Sequence, residues 1–431
     1  MRIAFYTLGC KVNQYETQAL ERLFAGRGHT LVPFEGEADV YVINSCTVTA
    51  VSDKKSRQMV RQARKRAPDA LIALCGCYPQ THRSELDGLP VDLVAGTGDR
   101  LGFVELVERA CVERKPAAAL DDAMKRRIFE PLPAGGLEGR TRAMLKVEDG
   151  CVNFCTYCII PYARGPVRSL PRSDAAVQAK KLAEEGYKEL VLTGIEISSW
   201  GHDFRDGSSL IDLVETVCAA APGCRVRLGS LEPRTITEAF CQRAAKLDNL
   251  CPHFHLSMQS GCDATLKRMN RKYDTGRFLE SVGLLRKHVQ APAITTDMIV
   301  GFPGETEEEF AQSLDLIQRC AFSAMHIFPY SRRPGTPAAA MPDQVPNSVK
   351  EERARRAAEI AAELTQRYLE QWDKVEVLFE EERDGLWWGH TTRYCKVGVR
   401  SEENLHNQLR QAAVTRVEQG WVLGEIILKN R

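Results

Sequence analysis

The chain has 431 residues, more than one ordinary domain needs, so two or three compact units are expected. With 44% apolar and 27% charged residues, the composition excludes a disordered chain, and no run of about 18 apolar residues argues for a membrane span. Lys and Arg total 58 against 57 Asp and Glu, a net charge of +1, so any nucleic-acid surface must be a local patch rather than a property of the whole chain.

The opening MRIAFYTLGCKVNQYETQ has no long apolar run behind a basic segment, so no secretory signal is expected and a cytoplasmic location is. In that reducing compartment the 15 cysteines are not expected to form a disulfide framework. Clustered ones read as metal ligands or catalytic thiols.

Residues 1–112 alternate strand-like runs at 3–8, 39–44 and 70–74 with helix-like stretches at 15–26 and 53–66. This βαβ pattern predicts an α/β unit with a parallel sheet, and ligands gather at the carboxyl ends of such strands. Cys10, Cys46 and Cys77 each lie just past one predicted strand, so three thiols remote in sequence could converge on one edge. The bland alternative is three buried small hydrophobes. The CGC triplet also offers Cys75. The second helix carries Lys54, Lys55, Arg57, Arg61, Arg64, Lys65 and Arg66, suited to phosphate contacts or to a solvated face.

Residues 113–142 are rich in Ala, Pro and Gly and read as a linker. Alternation resumes over 143–342, with strand candidates at 143–147, 189–193, 225–229, 253–258, 294–300 and 324–329. Six strands with helices between them predict a partial or complete βα barrel, whose working face is the strand C-terminal end. Just after the first strand, GCVNFCTYCIIP sets Cys151, Cys155 and Cys158 at C-x3-C-x2-C spacing. Iron-sulfur clusters ordinarily use four cysteines, so three from one loop leave one iron open for a substrate. A structural zinc site would need a fourth N or S ligand, and none stands nearby at suitable spacing. Residues 343–372 read as one bracing helix, and 373–431 as short alternating strands of a small β-barrel. Arg393 and Lys396, with the aromatics Trp387, Trp388 and Tyr394, make that barrel a candidate oligonucleotide binder, or a barrel with its aromatics packed inside.

The triad with Tyr157 as its aromatic resembles the radical S-adenosylmethionine signature, and TLGCKVNQYET, NSCTVT, GCYPQ, GFPGETEEEF and HIFPYSRRPGT are similar to the methylthiotransferases of that superfamily. The resemblance spans essentially the whole chain. It implies two 4Fe-4S clusters, one on Cys151, Cys155 and Cys158 and one on Cys10, Cys46 and Cys77, with the GCYPQ match favouring Cys77 over Cys75. It implies two uses of S-adenosylmethionine: methylation of a sulfur, then a 5'-deoxyadenosyl radical that opens a C–H bond. Candidate S-adenosylmethionine contacts are Tyr157, Gly194, Ser230, Glu232, Ser257, Gln259 and Asp297, since Gly admits close backbone approach and the polar groups can meet ribose hydroxyls or an ammonium.

The segment DGLWWGHTTRYCKV resembles a TRAM RNA-binding domain. LGCKVNQYET resembles the branch acting on N6-threonylcarbamoyladenosine beside the tRNA anticodon, so the implied partners are a tRNA anticodon stem-loop, an electron-donor protein and a sulfur source. Competing expectations are a methylthiotransferase for isopentenyladenosine or a ribosomal-protein aspartate, and a non-catalytic iron-sulfur RNA-binding protein.

Overall fold

The structure, a computed structural model, describes residues 1–135 and 139–427. Of the segment read as linker, 136–138 lie outside the described residues, as do 428–431 of the C-terminal unit.

The N-terminal unit is a six-stranded parallel sheet of order β2-β1-β3-β4-β5-β6. It comprises β1 (Arg2–Thr7), α1 (Lys11–Gly26), β2 (Thr30–Val32), β3 (Val40–Ser45), α2 (Ala50–Arg66), β4 (Leu71–Gly76), α3 (Cys77–Thr81), β5 (Leu93–Ala95), α4 (Arg100–Glu113) and β6 (Ala117–Ala119). Every residue of β3 and β4 is buried, as parallel strands covered on both faces require. In register, Thr7 faces Asn44 and Asn44 faces Cys75, so β1, β3 and β4 end level with one another. The segment expected to be a linker contributes β6, which extends this sheet.

The central unit starts with β7 (Arg142–Lys146), β8 (Glu148–Asp149), α5 (Ile160–Arg164), β9 (Arg168–Ser169), α6 (Arg172–Glu184), β10 (Glu189–Thr193), α7 (Leu210–Ala220), β11 (Arg225–Leu228) and β12 (Ser230–Leu231). It continues through α8 (Glu238–Ala244), β13 (His253–Gln259), α9 (Asp263–Arg268), α10 (Thr275–His288), β14 (Ala293–Val300), α11 (Glu307–Cys320) and β15 (Ala324–Pro329). Strands pair in parallel as β7-β10-β11 and β12-β13-β14-β15, and β11 runs on into β12 through Gly229. Among the described residues β7 and β15 do not pair, so the barrel is partial. Tyr15 and Ala19 of α1 join its apolar core, so α1 packs against the barrel as well as against its own sheet.

After the short α12 (Pro337–Ala340), the long α13 (Asn347–Leu369) braces β15 and α11. The last unit is a closed barrel of β16 (Lys374–Arg383), β17 (Leu386–Thr391), β18 (Lys396–Val399), β19 (Leu409–Glu418) and β20 (Trp421–Ile426). Leu369 of α13 enters its core. Among the described residues no helix is long and apolar enough to cross a membrane.

Candidate active site

Cys10 caps the start of α1, Cys46 follows β3 and Cys77 opens α3 after β4. The level strand ends bring the three loops together. A side chain at Gly9 would meet the Cys46 Cβ at 2.7 Å, and Gly9 has φ +108°, so this close approach needs glycine. Burial pushes the Cys77 thiol up to about 12, against the neighbouring Arg164 guanidinium and with Cys46 and Cys10 adding to the rise. Cys75 belongs elsewhere. It is fully buried in the sheet core beside Arg100, and its thiol is pushed up to about 11.

The second thiol group sits at the C-terminal end of β7. Cys151 N–H donates to Gly165 O at 2.9 Å and Cys158 N–H to Cys155 O at 2.9 Å, folding the loop into a tight cup. The segment after α9 clamps it: Thr156 N–H donates to Met269 O at 3.0 Å, and the Asn270 side chain donates to Phe154 O at 2.9 Å. Tyr157 seats the cup by packing edge-on to Phe302. Arg271 donates from Nη1 to the Cys155 sulfur at 3.3 Å. Burial pushes the Cys158 thiol up to about 12 and the Cys151 thiol further still. Metal binding to such thiols must therefore release protons.

Beside Cys151 stand two carboxyls. Glu148 accepts from Glu196 N–H at 2.7 Å, and burial holds it well above the usual carboxylate range. Burial raises Glu196 to about 7, opposed by Arg271 and reinforced by Glu232. Gly194 lies against Glu148, and Glu232 makes a bidentate pair with Arg234 at 2.7 and 2.8 Å. Ser257 accepts through its carbonyl from Tyr273, while Gln259 has φ +63° at the register shift of β13. Ser230 is exposed at the start of β12, and Asp297 pairs with His255 at 3.2 Å inside the barrel. Arg271, which bonds the Cys155 sulfur, and Glu196, whose charge acts on Cys151, are absent from the sequence-based candidates.

A buried ionic hub joins the two thiol groups. Glu16 of α1 receives Arg100 at 2.7 Å, Lys146 at 3.1 Å and Arg164, with Lys146 and Arg164 coming from the barrel unit. Arg164 also donates to Asn13 Oδ1 at 2.8 Å, and Asn13 holds the Leu8 and Ser45 carbonyls beside Cys10 and Cys46. On the far side Arg333 grips Asp53 and Thr47, each at 2.6 Å.

The basic residues divide. On α2, Arg57 bonds Tyr78 and Glu85, Arg64 bonds the Pro68 and Ala70 carbonyls, and Arg66 bonds Phe34 O. Lys54, Arg61 and Lys65 are exposed and Lys55 half-buried, and none of the four has an ion-pair partner among the described residues. Arg393 is used in docking, donating to Ala291 O at 2.7 Å and covering Trp372. Lys396 lies over Trp388. Trp387 and Trp388 are buried, and Tyr394, though 38% exposed, is stacked on His390 with Arg227 and Arg142 over its ring.

Among the described residues no three His, Cys, Asp or Glu side chains crowd as closely as a single ion demands. Three thiols in each group are the donor type that an iron-sulfur cluster takes.

A parallel βα partial barrel with three cysteines at the end of its first strand defines a radical S-adenosylmethionine enzyme, and the Radical SAM superfamily matches residues 145–317. Residues 2–96 match Uncharacterized protein family UPF0004. Threonylcarbamoyladenosine tRNA methylthiotransferase MtaB of Bacillus subtilis is 40% identical over 99% of this chain and 96% of its own length. The tRNA-2-methylthio-N(6)-dimethylallyladenosine synthase of Moorella thermoacetica is 33% identical over 98% of this chain and 97% of its own. The methyltransferase TsrM of Kitasatospora setae shares the fold, with TM-score 0.58 at 14% identity over 78% of this chain and 75% of that one. The chain belongs to the radical S-adenosylmethionine methylthiotransferase family. Its cofactors are those of that chemistry, 4Fe-4S iron-sulfur and S-adenosylmethionine.

Proposed function

We propose that this chain is a cytoplasmic tRNA methylthiotransferase that converts N6-threonylcarbamoyladenosine beside the anticodon into its 2-methylthio derivative. The observation that carries the reading is the presence of two thiol triads on two sheet ends tied together through Glu16. Greater identity to the threonylcarbamoyladenosine enzyme than to the dimethylallyladenosine one supports the choice of base.

In this reading Cys151, Cys155 and Cys158 hold one 4Fe-4S cluster and Cys10, Cys46 and Cys77 the other. So loaded, the triads would supply the electron that cleaves S-adenosylmethionine and the place from which sulfur is delivered, with an electron-donor protein and a sulfur source as partners. The chain's own groups do the positioning. Glu196 and Glu232 face the triad, where the ammonium of S-adenosylmethionine would draw Glu196 into its charged form. Arg271 fixes the Cys155 sulfur, and Tyr157 on Phe302 keeps water from that side of the cup. Lys54, Lys55, Arg61 and Lys65 take phosphates of the anticodon stem-loop.

The test is anaerobic reconstitution with a reductant, S-adenosylmethionine and a threonylcarbamoyladenosine stem-loop, read by mass spectrometry. 5'-Deoxyadenosine and the 2-methylthio nucleoside should both form. Cys155→Ala should make neither, whereas Cys46→Ala should still make 5'-deoxyadenosine but no methylthio product. Product only from isopentenyladenosine RNA overturns the choice of base, and no 5'-deoxyadenosine from the wild type leaves a binding protein.

A further inference from the structure

A cavity of about 740 Å³ lies where α1, the lower end of the barrel and the small β-barrel meet. Lys11 and Gln14 form one wall, Arg142 and Arg227 the second, Tyr394 and Lys396 the third. Two of its cations, Arg227 and Arg142, already have partners. Arg227 forks onto Glu189 at 2.7 and 2.9 Å and also bonds the Thr391 and Thr392 carbonyls. Arg142 pairs with Glu380 at 2.8 Å and reaches the Tyr394 hydroxyl at 3.3 Å. Glu380 is further met by His390 at 2.7 Å, whereas Glu381, the other lining carboxylate, has no such partner among the described residues.

Lys11 differs from these two. It has no hydrogen-bond or ion-pair partner among the described residues, as Lys396 also has none beyond its contact with Trp388, and of the two Lys11 directly follows Cys10. An anion held on it would therefore lie against the first turn of α1, the helix that Cys10 caps. We propose that this cavity receives the N6 side arm of the substrate base and that Lys11 reads its charge by pairing with the threonyl carboxylate. The inference rests on threonylcarbamoyladenosine being the substrate. Gln14, with one amide acceptor and two donors, suits the carbamoyl group or the threonyl hydroxyl. An isopentenyl arm carries no charge and no donor or acceptor, so it would cover the Lys11 ammonium without replacing its water. Discrimination then comes from the unpaired cation as much as from the favoured contact.

The experiment compares binding of three anticodon stem-loops to the reconstituted full chain by fluorescence anisotropy: one with threonylcarbamoyladenosine, one with its threonyl methyl ester, one with isopentenyladenosine. A charge-assisted contact predicts that the wild type binds the free acid about tenfold to a hundredfold more tightly than the ester. Lys11→Met should bind acid and ester alike, near the wild-type level for the ester, and Lys11→Arg should recover part of the gap. A wild type that does not separate acid from ester overturns the inference, even where it methylthiolates threonylcarbamoyladenosine RNA. So does a Lys11→Met protein that keeps the full gap. Failure of the substrate reading looks different: the wild type binds and modifies the isopentenyladenosine stem-loop instead.

Discussion

Arg164 donates from Nη2 to Glu16 Oε2 at 3.2 Å with both side chains fully buried, joining the helix after Cys158 to the helix after Cys10. Glu16 is held well below the usual carboxylate range by Arg164, Arg100 and Lys146 despite burial, the largest single influence, which acts the other way. The carboxylate is the centre of a three-cation hub across the domain boundary, and deleting one partner of such a buried group leaves the others uncompensated. Glu16→Gln should cost about 3 to 5 kcal/mol in urea unfolding of the reconstituted protein. A loss below about 1 kcal/mol would show that the hub does not hold the units together.

The barrel floor holds a second buried pair whose contribution depends on pH. Arg227 and Arg225 pull Glu189 down to about 2 from an ordinary 4.5, against its burial, while their other N–H groups bond the His390, Thr391 and Thr392 carbonyls of the small barrel and the loop after it. A lowered carboxylate contributes stability above its unfolded value and loses it as pH falls toward the folded one. The contribution is about 3 kcal/mol above pH ~4.5 and fades toward pH ~2. Unfolding free energies of wild type and Glu189→Gln should therefore be separated by a gap that is flat near neutrality and narrows below about pH 4.5. A gap independent of pH would refute the assignment.

The positions of the thiols were legible because strand ends are: each of Cys10, Cys46 and Cys77 stands immediately beyond an apolar run, and parallel strands end on one edge. That logic did not separate Cys75 from Cys77, because the predicted strand ended at residue 74 and only the GCYPQ resemblance favoured Cys77; the fold carries β4 on to Gly76, which buries Cys75 in the sheet core. Arg271, Glu196 and Glu16 were not legible. Each is a single charge whose partners, Cys155, Glu148 and Arg164, are remote in sequence, so only the fold assembles them. β6 escaped notice for another reason, since three alanines on a partly exposed edge show no period.

The loop that carries Cys77 depends on one backbone geometry. Gly76 has φ +99° and ψ −153°, a region open to glycine and closed to other residues. A Cβ there would stand 2.5 Å from Ser45 O and 2.6 Å from Asn44 Oδ1. Gly76→Ala should therefore cost about 1 to 3 kcal/mol and move Cys77 off its strand-end position. Iron and sulfide analysis should find roughly half the wild-type content, with 5'-deoxyadenosine production retained. Full iron content in the variant would mean that Cys77 is not a ligand.

On α2 the basic run separates into two populations with different expected behaviour. Lys54, Arg61 and Lys65 are exposed without ion-pair partners among the described residues, whereas Arg64 is committed to its own domain through the Pro68 and Ala70 carbonyls. Binding through phosphates weakens in proportion to the logarithm of salt, with a slope that falls by about 0.7 to 0.9 for each phosphate no longer neutralised. Replacing Lys54, Arg61 and Lys65 together by Gln should weaken stem-loop binding whatever its sequence and lower the salt slope by about two to three. Arg64→Gln should instead leave the slope unchanged and reduce stability by about 1 to 3 kcal/mol, because it removes the donor shared by the Pro68 and Ala70 carbonyls and the ion pair with Asp92. Binding isotherms at a series of salt concentrations distinguish the two. An unchanged slope in the triple variant would place the RNA on another face.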